Sequence, residues 1–166
     1  MGQLKQWLQS IFLGVVVVLL VLTVVLFLPI VLAGSRLWGQ WLQARYRAKW
    51  SKHGKPILFV YSNSPNWQRY IEEHWLLQLQ THAIVLNWSE RKAWAPQRPF
   101  EARVFHHFAG SEAFNPIALY FPRRGSMRTV RFWQAFRDFK HGKEQKLREA
   151  EKELFEILAQ IRQGDV

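Results

Sequence analysis

Residues 56–75 read Pro-Ile-Leu-Phe-Val-Tyr-Ser-Asn-Ser-Pro-Asn-Trp-Gln-Arg-Tyr-Ile-Glu-Glu-His-Trp, and this stretch decides how the folded part of the chain is built. Ile57–Tyr61 is a short run rich in β-forming residues, with no polar alternation. That is the pattern of a strand buried on both faces. Ser62-Asn63-Ser64-Pro65-Asn66 has turn composition, and Ser64 can cap a helix with Pro65 in its first position. Trp67, Tyr70, Ile71, His74 and Trp75 then recur at helical spacing, which predicts a helix over about 65–80.

Working downstream, Ala83–Trp88 reads as a second strand and the polar stretch Ser89–Pro99 as a loop. Phe100–Ala109 is open: Phe100, Val104 and Phe108 fit a helix face, and strand alternation fits as well. Asn115-Pro116 leads into a third strand, Ile117–Phe121, and Pro122–Met127 is a turn. Arg128–Phe136 alternates Val130, Phe132, Gln134 and Phe136 against Arg131, Trp133, Ala135 and Arg137, which predicts a half-buried fourth strand forming a hairpin with the third. After His141-Gly142, Lys143–Arg162 is an amphipathic helix with Leu147, Ala150, Leu154, Leu158 and Ile161 on one face. Two strands bracketing a helix should be parallel with a right-handed crossover, and the final hairpin is antiparallel. The expected fold class is α/β, a small mixed sheet covered by helices.

Working upstream, Ile11–Ala33 is an uncharged Val/Leu/Ile/Phe run. At about 1.5 Å per residue it reaches roughly 35 Å, enough to cross a hydrocarbon core of about 30 Å as a helix. Trp7 on one side and Trp38 and Trp41 on the other stand where interfacial aromatics belong. A cleavable signal peptide is the rival reading, because Val31-Leu32-Ala33 before Gly34 has the small-residue pattern. Its apolar run is too long for that reading, and basic residues follow at once. The organisation expected is thus a short flank (1–10), a transmembrane helix (11–33), a basic aromatic juxtamembrane segment (34–55), an α/β domain (56–162) and a tail (163–166).

Net charge is +11 and there is no Cys. The missing Cys excludes disulfides, thiolate catalysis and Cys-ligated metals. The charge is unevenly placed. Residues 35–55 hold Arg36, Arg45, Arg47, Lys49, Lys52 and Lys55 with no acid, whereas the chain from Pro56 onward sets sixteen Lys or Arg against all twelve acids. Basic flanks stay in the cytoplasm, so the expected topology in a cell (inner) membrane is N-terminus outside and globular domain inside. The same split argues against nucleic acid as partner, since the folded part is only mildly basic. Trp38, Leu42, Tyr46 and Trp50 recur four residues apart, which predicts either an amphipathic helix in the headgroup region or a plain solvated flank. Arg45, Arg47, Lys49 and Lys52 would meet anionic lipid.

The element order, the turn Asn63-Ser64-Pro65-Asn66 opening the first helix, Asn115-Pro116 before the third strand and Gly142 before the last helix together resemble the thioredoxin fold over residues 56–162. The resemblance implies that Asn63 and Asn66 stand where that family places its redox cysteines, and that Pro116 stands where it has a cis-proline. It therefore implies a redox-inactive copy, because exchange needs a thiolate that Asn cannot supply. It also implies a groove lined by Asn63, Ser64, Pro65, Asn66, Asn115 and Pro116 that takes an extended peptide by strand addition.

Other chemistry is thin. His106-His107 are adjacent and face apart on a strand, and no histidine cluster has ligand spacing, so no metal and no cofactor is expected. The acids of 144–156 interleave with Lys and Arg as ordinary helix pairs. There is no Gly-rich phosphate loop and no nucleophile elbow. Arg123, Arg124, Arg128 and Arg131 on the hairpin are candidates for anionic lipid or a phosphorylated ligand; sequence does not place Arg91, Lys92 and Arg98 relative to them. The expected function is a non-enzymatic, membrane-tethered interaction module with the bilayer and a protein or peptide as partners. The alternative is a membrane-associated transferase using a nucleotide-linked or lipid-linked substrate, although the domain is small for one. RNA binding ranks below both.

Overall fold

In a computed structural model of the chain, β1 (Ile57–Tyr61), β2 (Ala83–Asn87), β3 (Ile117–Tyr120) and β4 (Arg128–Arg131) form one sheet in the order β2-β1-β3-β4. The structure describes the backbone of residues 2–94, 97–110 and 115–164, with side chains from residue 12. The expected side-chain positions of Lys5 and Trp7, and the last two residues of the tail, lie outside the described residues. The chain divides into two compact units, residues 1–40 and 41–166.

β1 pairs parallel with β2, Ile57 opposite Ala83 and Tyr61 opposite Asn87. On its other side β1 pairs antiparallel with β3, Val60 opposite Ile117, and β3 pairs antiparallel with β4. As expected from its unbroken apolar run, every residue of β1 is buried. Strand periodicity of two sorts those residues between two cores. Ile57, Phe59 and Tyr61 join one cluster with Trp67, Ile71 and Trp75, with Phe132 and Phe136, and with Leu147, Leu154 and Leu158. Leu58 and Val60 join the other with Val104, Phe105, Leu119, Phe121, Leu42 and Tyr46. The domain is thus three layers, with the sheet in the middle.

The first cluster uses much of the aromatic content. The Trp75 ring lies 4.7 Å from Phe132, 5.5 Å from Phe136 and 5.9 Å from Phe59, centre to centre. Such pairs each add about 0.5–1.5 kcal/mol beyond the area they bury. The buried Trp75 indole N–H donates to Glu151 Oε1 at 2.9 Å, and Tyr70 Oη donates to the same oxygen at 2.7 Å. Burial and that hydrogen bond push the Tyr70 phenol up to about 12.

Several expectations need correction. The helix over 65–80 is two pieces, α2 (Gln68–His74) and α3 (Leu76–Leu79), parted at Trp75. Ser64 does not cap that helix: α2 starts at Gln68 behind Trp67, which makes no side-chain cap bond, and the Ser64 hydroxyl only accepts from the Asn66 N–H within the turn, at a long 3.4 Å. Phe100–Ala109 is a helix, α4, with Phe100, Val104, Phe105 and Ala109 buried. The fourth strand ends at Arg131, and Trp133–Lys140 is a helix, α5. Phe132 and Phe136 satisfy both periods, but the exposed Gln134 donates to Asp138 and the Arg137 guanidinium lies over the Trp133 ring, both i,i+4 contacts of a helix. Gly142, at φ +77°, therefore joins two helices, α5 and α6 (Gln145–Gln163), not a strand and a helix.

The N-terminal helix, α1, runs Gly2–Lys49. It is the one helix, among the described residues, long and apolar enough to cross a membrane by length and composition. Its last turns do not have the environment expected of residues 34–55. Leu42 and Tyr46 are fully buried against the domain, the Tyr46 ring 4.3 Å from Phe121, and the buried Ser51 Oγ donates to the Phe121 carbonyl at 2.9 Å. These apolar side chains face protein, not a headgroup layer, so the packed domain begins near residue 41 rather than at Pro56.

Candidate functional site

The turn that leaves β1 and the Asn115–Pro116 pair that enters β3 share one end of the sheet. Val60 pairs with Ile117, so the register carried one step further sets Pro116 opposite Tyr61. The Asn115–Pro116 bond is cis, and the Pro116 carbonyl accepts from the Phe132 N–H at 3.0 Å. Both residues are buried, whereas Asn63, Pro65 and Asn66 are exposed and Ser64 is half-buried.

A polar network fastens this turn to the end of β2. The Asn63 N–H donates to Ser89 Oγ at 2.9 Å, and Asn87 Nδ2 donates to Asn63 Oδ1 at 2.7 Å. Asn87 Nδ2 also donates to Glu90 Oε1 at 3.3 Å, and the Ser89 N–H donates to Asn87 Oδ1 at 3.1 Å. The Trp67 indole N–H closes the turn on the Ser62 carbonyl at 3.1 Å. Asn63 therefore serves as a structural amide linking two parallel strand ends. Asn87 and Ser89 are the partners that sequence reasoning did not assign to this site; the signal was a lone Asn ending an apolar strand beside a Ser. Amides and hydroxyls so arranged can hold a backbone or a polar group.

The basic candidates separate into different environments. Arg47 Nη2 donates to the Gly125 carbonyl at 2.7 Å, bringing it to the hairpin turn that carries the exposed Arg123 and Arg124. The Arg128 guanidinium lies 5.1 Å from the Tyr120 ring centre and donates to Gln160, and Arg131 donates to the Ala109 carbonyl. Arg45 stacks over Trp41 and Phe100. Lys49 is tied to the buried Glu101 at 2.9 Å, while Lys52 is exposed. Among the described residues no three His, Asp or Glu side chains gather as a metal-ligand group.

Glu101 has the clearest electrostatics. Burial alone would raise its carboxyl, but hydrogen bonds from Lys49, its own backbone and the Trp50 indole outweigh that, and it ends below its ordinary value. The neighbouring Tyr46 phenol is pushed well above its usual range, first by burial and then by the Glu101 charge. A carboxylate with a depressed folded-state pKa contributes stability above its unfolded value, and that contribution is lost as pH falls through the folded one. Residues 41–166 are therefore expected to lose stability on acidification below about pH 4.3, the ordinary glutamate value. Glu101→Gln is expected to cost about 1–3 kcal/mol at pH 7 and to flatten that acid limb, as read by urea unfolding across pH. An unchanged limb would remove Glu101 from the account.

Compared with known family models, characterised proteins and solved structures, the chain matches none.

Proposed function

We propose that this chain is a membrane-tethered interaction module without catalytic chemistry of its own. Residues 11–33 hold it in a bilayer. A thioredoxin-like domain presents the sheet end at Asn63–Asn66 and Asn115–Pro116 to an extended peptide. The observation that carries this reading is the sheet order β2-β1-β3-β4, with its one parallel pair leading into the turn where the resembling family keeps its cysteines. In this chain that turn holds Asn63 and Asn66, and there is no Cys anywhere to supply a thiolate. What such a sheet end retains is backbone and amide hydrogen bonding, the chemistry of strand addition.

The anchoring half of the proposal rests on exposure. In α1 the residues from Phe12 to Leu32 leave their large apolar side chains uncovered, and the most apolar window has a mean hydropathy of 3.4. An apolar surface of that length needs a non-aqueous partner. The six Lys or Arg after the span favour a cytoplasmic domain, because insertion responds to basic residues near the span whatever they later contact. Arg123 and Arg124 are suited to anionic headgroups there.

A photo-crosslinking side chain placed at Asn66 of the full chain, in its native membranes, is expected to give a discrete protein adduct. The same group at Glu149, on the exposed face of α6, is expected to give none. No adduct at Asn66, or equal adducts at both positions, would contradict the proposed groove.

A further inference from the structure

The 3₁₀ segment Trp88–Trp94 that follows β2 surrounds a recess that neither the sheet end nor the anchor uses. It measures about 230 Å³ and is lined by Trp88, Arg91, Lys92, Trp94 and Arg98. Its floor is aromatic: the buried Trp88 indole meets Trp94 edge-on at 5.6 Å and Phe105 at 4.6 Å. Arg91 is held at the rim by donating from Nη1 to the Trp88 carbonyl at 3.2 Å. Three basic side chains thus line one concavity, and among the described residues its lining contains no carboxylate. The neighbouring acid in the chain, Glu90, accepts from the Asn87 amide instead.

We infer that this recess binds a phosphate ester. Like charges gathered around a concave aromatic floor repel one another, and an anion entering between them relieves that repulsion. Arginine forks and a lysine ammonium match the oxygens of a phosphoryl group. The indole wall offers an apolar face to the carbon body attached to it. Volume limits the ligand: drug-sized sites run to about 300–1,000 Å³, so this one suits a phosphoryl group on a glycerol-sized or single-ring body, not a dinucleotide. The same chemistry is found in a free phosphate ester and in a phospholipid headgroup. The inference stands apart from the groove and the anchor, since the recess can take up its ester even if either of those readings fails.

The test is calorimetric titration of the full chain in neutral maltoside micelles with glycerol phosphate. In parallel, the chain is placed in phosphatidylcholine nanodiscs with and without phosphatidylglycerol. Lys92→Gln/Arg98→Gln removes two exposed charges and leaves the Arg91 bond to the Trp88 carbonyl in place. It is expected to weaken binding by at least about tenfold, the loss of one charge-assisted hydrogen bond. The charge-matched Lys143→Gln/Lys152→Gln, at two exposed positions away from the recess, is expected to change it little. Saturable binding of glycerol phosphate that follows this pattern assigns a free ester. The same pattern only with phosphatidylglycerol assigns a headgroup. No saturable binding in any arm, or equal loss in both variants, overturns the inference.

Discussion

Cut to residues 56–166, the chain is expected not to fold, whereas residues 41–166 are expected to unfold in one cooperative transition. Pro56 is where the sequence places the start of the domain, but the cut removes Leu42 and Tyr46, each fully buried in the core beneath the sheet. Losing a buried leucine side chain alone costs about 2–5 kcal/mol, and a buried aromatic about 3–5. The Lys49–Glu101 pair, the Trp50 indole bond to the same carboxylate and the Ser51 bond to Phe121 are lost with them. A buried glutamate left without partners adds a further penalty. Together these match or exceed the roughly 5–15 kcal/mol by which a domain is stable. Circular dichroism melts of the two fragments decide the matter. A cooperative melt for 56–166 close to that of 41–166 would show that the last turns of α1 are dispensable. Leu42→Ala in 41–166 supplies the graded version of the same test.

What the sequence made legible follows from how strongly each pattern is constrained. β1 could be read because a five-residue apolar run between a Gly-Lys-Pro break and a Ser/Asn/Pro turn has few alternatives. The parallel β1–β2 pair and the antiparallel hairpin followed from element order alone. α6 could be read because its apolar stripe is long. Phe100–Ala109 could not be decided, because large apolar residues at spacings of four fit a helix face and a strand face equally. The segment after Arg131 was misread because Phe132 and Phe136 satisfy both periods; only the exposure of Gln134 and the i,i+4 pairings separate them. The stretch Trp38–Trp50 fits either a headgroup layer or a solvated flank, because a basic, aromatic helix next to an apolar span suits both. Periodicity reveals an apolar stripe but not what covers it, and here the domain covers Leu42 and Tyr46.

The candidate site was legible in the same uneven way. Asn63, Asn66 and Pro116 are singled out only through the resemblance to the thioredoxin fold, which the turn composition and element order suggest. The Asn87–Ser89 partnership could not, since it depends on the register of β1 against β2. The recess at Trp88–Arg98 was equally hidden: three basic residues in a loop carry no message until the chain's path wraps them around two indoles.

The second large effect concerns solubility, and it bears on the central claim. Among the described residues, the exposed large apolar side chains lie before residue 40, apart from Trp41 and Leu77. On the proposed anchoring, removing residues 1–40 abolishes membrane retention. The direct measurement is an alkaline carbonate wash of membranes from cells making either the full chain or residues 41–166. The full chain, intact from its N-terminus, is predicted to stay in the pellet and leave it only with detergent, while residues 41–166 are predicted in the supernatant. Full-length protein released by carbonate alone, or a mature chain that begins at Gly34 and is soluble without detergent, would contradict the account.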